Sequence, residues 1–156
     1  MLTRACELDR FFAGSDQAPP DQVVVAIGNQ TLRQTWQQVL QQVSAPLGVV
    51  IHPRASVSAA AQIAPGGVVL AGAVVNANAS LHAGVLVNSG AVVDHDTTCA
   101  AYSLLGVNAA MAGGSSLSPL ACLGPGEVLN CGQTRFALLE LAPGASDPAE
   151  GLSLKP

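Results

Sequence analysis

Cut into sixes from Ile51, the chain reads IHPRAS VSAAAQ IAPGGV VLAGAV VNANAS LHAGVL VNSGAV VDHDTT through residue 98, and the period decides the fold. Every sixth residue from Ile51 through Val57, Ile63, Val69, Val75 and Leu81 to Leu129 is apolar, fourteen in all without a slip of register. Four positions further along each unit the residue is small: Ala55, Ala61, Gly67, Ala73, Ala79. Three positions along, Gly, Asn or Asp fills ten of fourteen sites, Gly66, Gly72, Asn78, Gly84, Gly90 and Asp96 among them. Those types tolerate the positive φ of a tight corner. Each unit is therefore a short strand plus a corner, and three units close a triangular coil of eighteen residues. Coils stack at the strand spacing of about 4.8 Å, with the large aliphatic side chain inward. An amphipathic helix would repeat at 3.6 and a plain strand at 2, so strict period six predicts a left-handed parallel β-helix.

Composition agrees with a narrow interior: 49% of residues are apolar but only 3% aromatic and 10% charged. No uninterrupted apolar run approaches the roughly 18 residues of a membrane span. Arg4, Glu7, Asp9 and Arg10 do not read as a secretory signal, and the four cysteines lack zinc-type pairing, so a reduced, cytoplasmic protein is expected. Net charge of −4 argues against nucleic acid as a partner. From Ser56 to Thr134 there is no Lys or Arg, and only Asp94, Asp96 and Glu127 are acidic, which predicts that much of this surface is buried between subunits. Arg135 falls on an inward position, so residues 134–140 are expected to form a defect or loop, with the phase recovering at Leu141–Gly144.

Ahead of the repeat, Val23–Ile27 reads as a buried strand and Gly28-Asn29 as a turn. Leu32, Trp36, Val39, Leu40 and Val43 then fall at helical spacing, with polar residues between them, and Val49–Ile51 returns as a strand. The expected organisation is an incomplete Rossmann-like α/β segment (1–50), a β-helix domain (51–146) and a tail (147–156). The glycine-rich turn that opens a phosphate-binding helix is absent from the segment.

The motifs Val-Ala-Ile-Gly-Asn (25–29), Ile-His-Pro (51–53) and Asn-Ser-Gly-Ala-Val-Val-Asp-His-Asp (88–96) carry a resemblance. From about Glu7 to Gly144 the chain resembles the bacterial sugar O-/N-acyltransferases of the sialic-acid O-acetyltransferase type. The nucleotide 4-amino-sugar N-acetyltransferases belong to that group. The resemblance implies a homotrimer with acetyl-CoA sites between neighbouring β-helices, a sugar or nucleotide-sugar acceptor, and no metal. It implies His95 and Asp96 as the catalytic pair, and Gly113, Pro125 and Pro143 toward acetyl-CoA. Asp9, Gly28 and Asn29 fall toward the sugar nucleotide. The chain departs from the family where it starts just before the second strand, where Arg10 follows Asp9, and where Leu104 stands in place of a second histidine.

The repeat adds a separate argument. Residues eighteen apart stack, so Ala77 and Gly113 flank His95 and leave a shallow notch beside the imidazole. Acyl transfer from a thioester needs a base near neutral pH and a donor for the oxyanion. His95 suits the first role and the Gly113 N–H the second, and the resemblance implies that Asp96 pairs with the ring and raises its basicity. The other reading of His95 is an exposed corner residue. His52 reads as structural and His82 as surface. Cys99 takes an inward, inert position between Leu81 and Leu117. Two other functions remain open: a trimeric scaffold without turnover, and a γ-carbonic-anhydrase-like metalloenzyme, whose three close-set zinc histidines the spacing of His52, His82 and His95 does not reproduce.

Overall fold

The computed structural model describes residues 21–137. Among these residues one helix, α1 (Gln30–Gln42), precedes fifteen two-residue strands, from β1 (Val50–Ile51) to β15 (Thr134–Arg135). They form three parallel sheets of five strands, each sheet taking every third strand, so the coil has three flat faces. The first face stacks Val50–Ile51, Val68–Val69, Leu86–Val87, Leu104–Leu105 and Cys122–Leu123. On the second are Ser56–Val57, Val74–Val75, Val92–Val93, Ala110–Met111 and Val128–Leu129, and the third runs from Gln62–Ile63 to Thr134–Arg135. Partners lie eighteen residues apart, as in Val50↔Val68 and Val68↔Leu86.

The second residue of each strand points inward. Val69, Val75, Val87, Val93, Cys99, Leu105 and Leu123 are fully or almost fully buried in one continuous core. Cys99 sits in register between Leu81 and Leu117, and burial pushes its thiol up to about 12. Small residues such as Ala73, Ala91 and Ala109 fill the converging corners, where a larger side chain would meet the opposite wall.

The corners form three columns of positive φ, eighteen residues apart within each: 66/84/102/120, 72/90/108/126 and 78/96/114/132. Two members break the expected residue types, Tyr102 (φ 60°) and Leu120 (φ 61°), and each carries a cost of about 1–2 kcal/mol. Both lie on the corner that α1 covers. The Tyr102 ring lies against Gly84, where a Cβ would come within 2.5 Å of ring carbon Cδ1. In the first coil Arg54 and Ala60 turn without a positive φ. There the His52 Nδ1 accepts the Arg54 N–H at 3.1 Å and the Ser58 hydroxyl accepts the Ala60 N–H at 3.2 Å.

Two expectations from the sequence are corrected. Residues 23–27 do not form a strand; Val23 alone bridges Leu47, in parallel, while Val25 packs on Leu40, so among the described residues ahead of the coil there are one helix and one bridge. The strand expected at Val49–Ile51 is present as Val50–Ile51, the first rung of the coil, paired with Val68–Val69. Leu32 is 40% exposed, while Arg33 and Gln37 are fully buried against the first corner column. Thr134–Arg135 continues the third face as a paired strand, Leu117↔Arg135, in place of a defect. Arg135 is tolerated because its half-buried side chain reaches out to Glu127, Nη2 to Oε2 at 3.5 Å.

Candidate active site

The third corner column brings three triplets into a stack: Asn76-Ala77-Asn78, then Asp94-His95-Asp96, then Ala112-Gly113-Gly114. Backbone bonds fix it, with the Asp96 N–H donating to the Ala77 carbonyl at 3.1 Å and the Gly114 N–H to the His95 carbonyl at 3.0 Å. The His95 ring lies across Gly113: a Cβ there would fall 2.7 Å from both Cε1 and Nε2. Only a residue without a side chain leaves that space.

The ring is held from one side. His95 Nδ1 and Asp96 Oδ2 are 2.8 Å apart. A carboxylate only accepts, so Nδ1 carries the proton and the neutral ring presents its lone pair at Nε2, on the Gly113 side. Asp96 takes φ 56° itself, making one residue both the corner and the ring's partner. Asp94 Oδ1 accepts the backbone N–H of His95 at 2.8 Å and the Asn76 amide at 2.8 Å. Asp96 Oδ1 accepts the Asn78 amide at 3.0 Å.

The electrostatics follow the contacts. The hydrogen bond to Asp96, then the charge of Asp94, raise the His95 pKa above histidine's ordinary value. Asp96 is lowered chiefly by His95 and then by Asn78. Asp94 is lowered chiefly by the Asn76 amide and then by the His95 N–H, with the Gly113 N–H as its weakest contributor. His95 and Asp96 side chains are 62% and 58% exposed, so the pair is open to an incoming molecule. An exposed imidazole with a fixed tautomer and a free Nε2 over a bare backbone is equipped to take a proton.

The remaining sequence-derived positions lie elsewhere on the chain. Pro125 is exposed on the second corner column, at the other end of the second face, where Gly106 permits close approach of Gly124-Pro125. Gly28 and Asn29 open α1: the Asn29 side chain caps it by accepting the Leu32 N–H at 2.9 Å, and the Gly28 carbonyl accepts from Arg33. Leu104 is half-buried on the first face, and His82 is exposed. Asp9 and Pro143 lie outside the described residues, as do Leu141–Gly144 and the 147–156 tail. Among the described residues no group of three His, Cys, Asp or Glu side chains could hold a metal ion, and no helix is long and apolar enough to cross a membrane. Sequence reasoning missed Asn76 and Asn78, although each stands eighteen residues before an aspartate flanking His95. Arg33 was missed with no comparable signal.

No protein-family model and no curated protein matches the chain. Solved structures do. The acetyltransferase domain of PglB from Neisseria gonorrhoeae FA1090, in complex with acetyl coenzyme A, is 30% identical over 74% of this chain and 67% of that one, with a TM-score of 0.63. The chain belongs to the bacterial hexapeptide-repeat sugar acetyltransferases. Another structure of that PglB domain matches at 29% identity over 81% of this chain and 73% of its own, TM-score 0.65. A histidine-to-alanine mutant of GDP-perosamine N-acetyltransferase from Caulobacter crescentus, in complex with CoA and GDP-perosamine, is 36% identical over 74% of this chain, with a TM-score of 0.73. The chain spans about half of that relative's length, 55%.

Proposed function

We propose that the chain is an acetyl-CoA-dependent acetyltransferase acting on an amino or hydroxyl group of a sugar, with nucleotide-linked amino sugars as the first acceptors to test. The observation that carries the reading is the His95 ring, fixed by Asp96 at Nδ1 and presenting Nε2 over Gly113. Complexes of the family relatives with acetyl coenzyme A, or with CoA and GDP-perosamine, support the choice of substrates.

In this reading Nε2 takes the proton from the acceptor as its nitrogen or oxygen attacks the thioester carbonyl. The Gly113 N–H donates to the oxyanion of the tetrahedral intermediate. Collapse breaks the C–S bond, and the imidazolium returns its proton to the leaving CoA thiolate. Asp94 and Asp96 stabilise the imidazolium in between. Pro125 and Pro143 toward CoA, and Asp9, Gly28 and Asn29 toward a nucleotide, complete the proposed contacts.

The surface supports a homotrimer with sites between copies. The outward side of the second face is Ser56 on the first coil and then Val74, Val92, Ala110 and Val128, with Val128 61% exposed, and this face runs straight into Asp94-His95-Asp96. A copy seated there would bring its own residues beside His95. The left-handed coil belongs to the same reading.

CoA release from acetyl-CoA by the purified chain, measured with a panel of free and nucleotide-linked amino sugars, tests the activity. A second reading, a trimeric scaffold without turnover, is favoured by Leu104 in place of the family's second histidine. Trimers by sedimentation, with no CoA release for any acceptor, would establish it.

Two further results are expected. Because the carboxylates raise the His95 pKa, the free base forms only above that raised value, so the acid limb of kcat/KM lies above histidine's ordinary value of about 6.5. Asp96→Asn removes the main cause, so the limb moves to lower pH while the plateau falls roughly 100-fold; a limb that stays in place would remove Asp96 from the pair. Gly113→Ala puts a Cβ 2.7 Å from Nε2 and displaces the ring, so kcat is expected to fall about 10- to 100-fold. Steady-state kinetics on a variant with an unaltered melting curve reads this directly.

A further inference from the structure

The triplet below His95 and the triplet above it are built differently. Above are Ala112, Gly113 and Gly114, with almost no side chain. Below, Asn76 and Asn78 flank Ala77, and each sends its amide one coil up to a carboxylate, to Asp94 Oδ1 at 2.8 Å and to Asp96 Oδ1 at 3.0 Å. Backbone geometry does not require Asn78. In its column Gly114 and Gly132 meet the same positive φ, and the only two side chains in that column, those of Asn78 and Asp96, are bonded to each other.

We infer that Asn78, with Asn76 beside it, is a positioning residue for His95: the amide occupies one oxygen of Asp96 and thereby turns the other onto the ring. Asp96 is 58% exposed at the side chain, and on its own it would rotate among its staggered conformers. With Oδ1 held from below, Oδ2 stays on Nδ1, the proton stays on Nδ1, and Nε2 stays free over Gly113. Asn76 acts on the backbone, because the Asp94 oxygen that accepts its amide also accepts the His95 N–H. The charged groups facing the ring are Asp94 and Asp96 on its own coil. The triplets stacked below and above, Asn76-Ala77-Asn78 and Ala112-Gly113-Gly114, are neutral, and no Lys or Arg occurs from 56 to 134.

The inference deepens the reading of His95 as the base, yet its test does not need turnover. In the full-length chain, nitrogen-15 NMR follows the His95 titration midpoint and, at alkaline pH, its tautomer, with His95→Ala assigning the signal among three histidines. Wild type is expected to hold the Nδ1–H tautomer. Asn78→Gly keeps the positive φ and deletes the amide, so the Nε2–H form should grow in and the midpoint should move down. Neither should change further when Asn78→Gly is added to Asp96→Asn. Where acetyl transfer is measurable, kcat for Asn78→Gly falls about 10- to 100-fold with KM for acetyl-CoA little altered. An unchanged tautomer and midpoint in Asn78→Gly, or the same change with asparagine at 96, overturns the inference. The expected NMR pattern without acetyl transfer to any acceptor upholds the positioning and sinks only the acetyltransferase reading.

Discussion

His95→Ala is expected to lower kcat for acetyl transfer by about 10²- to 10⁴-fold, the range that a positioned general base supplies. Stability should hardly change. The ring is 62% exposed and its bond to Asp96 is a solvent-facing one, a class worth little to folding. The linkage has a definite sign: a raised histidine pKa adds stability below the unfolded value, and that increment is lost as pH rises through the folded one. At the alkaline pH where the base is free, the variant should therefore melt with the wild type. A drop in kcat with KM for acetyl-CoA preserved would place the loss in chemistry. Full activity in the variant would move the base elsewhere, and no other histidine among the described residues has a carboxylate partner.

The second large effect is on folding. Arg33→Ala is expected to destabilise the chain by about 3 kcal/mol, because buried acceptors left without a donor cost about 1–3 kcal/mol each before partial rescue by water. Its guanidinium is buried with no carboxylate partner among the described residues, and burial lowers its pKa. Among the described residues its partners are all main-chain carbonyls. Nε donates to Gly84 at 2.8 Å, Nη1 to Ile27 and Gly28 at 2.8 and 2.9 Å, and Nη2 to Tyr102 and Ser103 at 3.0 and 3.4 Å. Those carbonyls belong to the start of α1 and to two successive coils, so one side chain ties the helix to the coil. Gln37 makes a neighbouring tie to the Gly66 carbonyl at 3.2 Å. Arg33→Lys should be nearly as harmful, since an ammonium cannot reach so many acceptors in a planar fork. Thermal unfolding reads the effect, roughly 10 °C in Tm for a chain of this size; a curve overlapping the wild type would show that the cage is dispensable.

These two residues differ in how far the sequence revealed them. His95 was legible because a β-helix converts spacing into proximity: eighteen residues are one coil, so Ala77 and Gly113 had to be its neighbours. The same arithmetic would have found Asn76 under Asp94 and Asn78 under Asp96. The ring's bond to Asp96 was expected from the motif, while the choice of Nδ1, and with it the free Nε2, came from the geometry. Arg33 was illegible because it obeys no period of its own. Only the docking of α1 on the corner made its face of the helix an interior.

The sequence by itself determined the coil, its register and the stacking of the third corner, since a repeat with one inward aliphatic every six residues has only one way to bury them all. Tertiary structure alone decided where α1 sits, that Val23–Ile27 forms no strand, and that Tyr102 and Leu120 accept a strained corner beneath it. The physical reason is range. Within the coil each contact is repeated locally and coded by period, whereas the helix meets the coil through single polar contacts between residues up to ninety positions apart, and no local pattern encodes those.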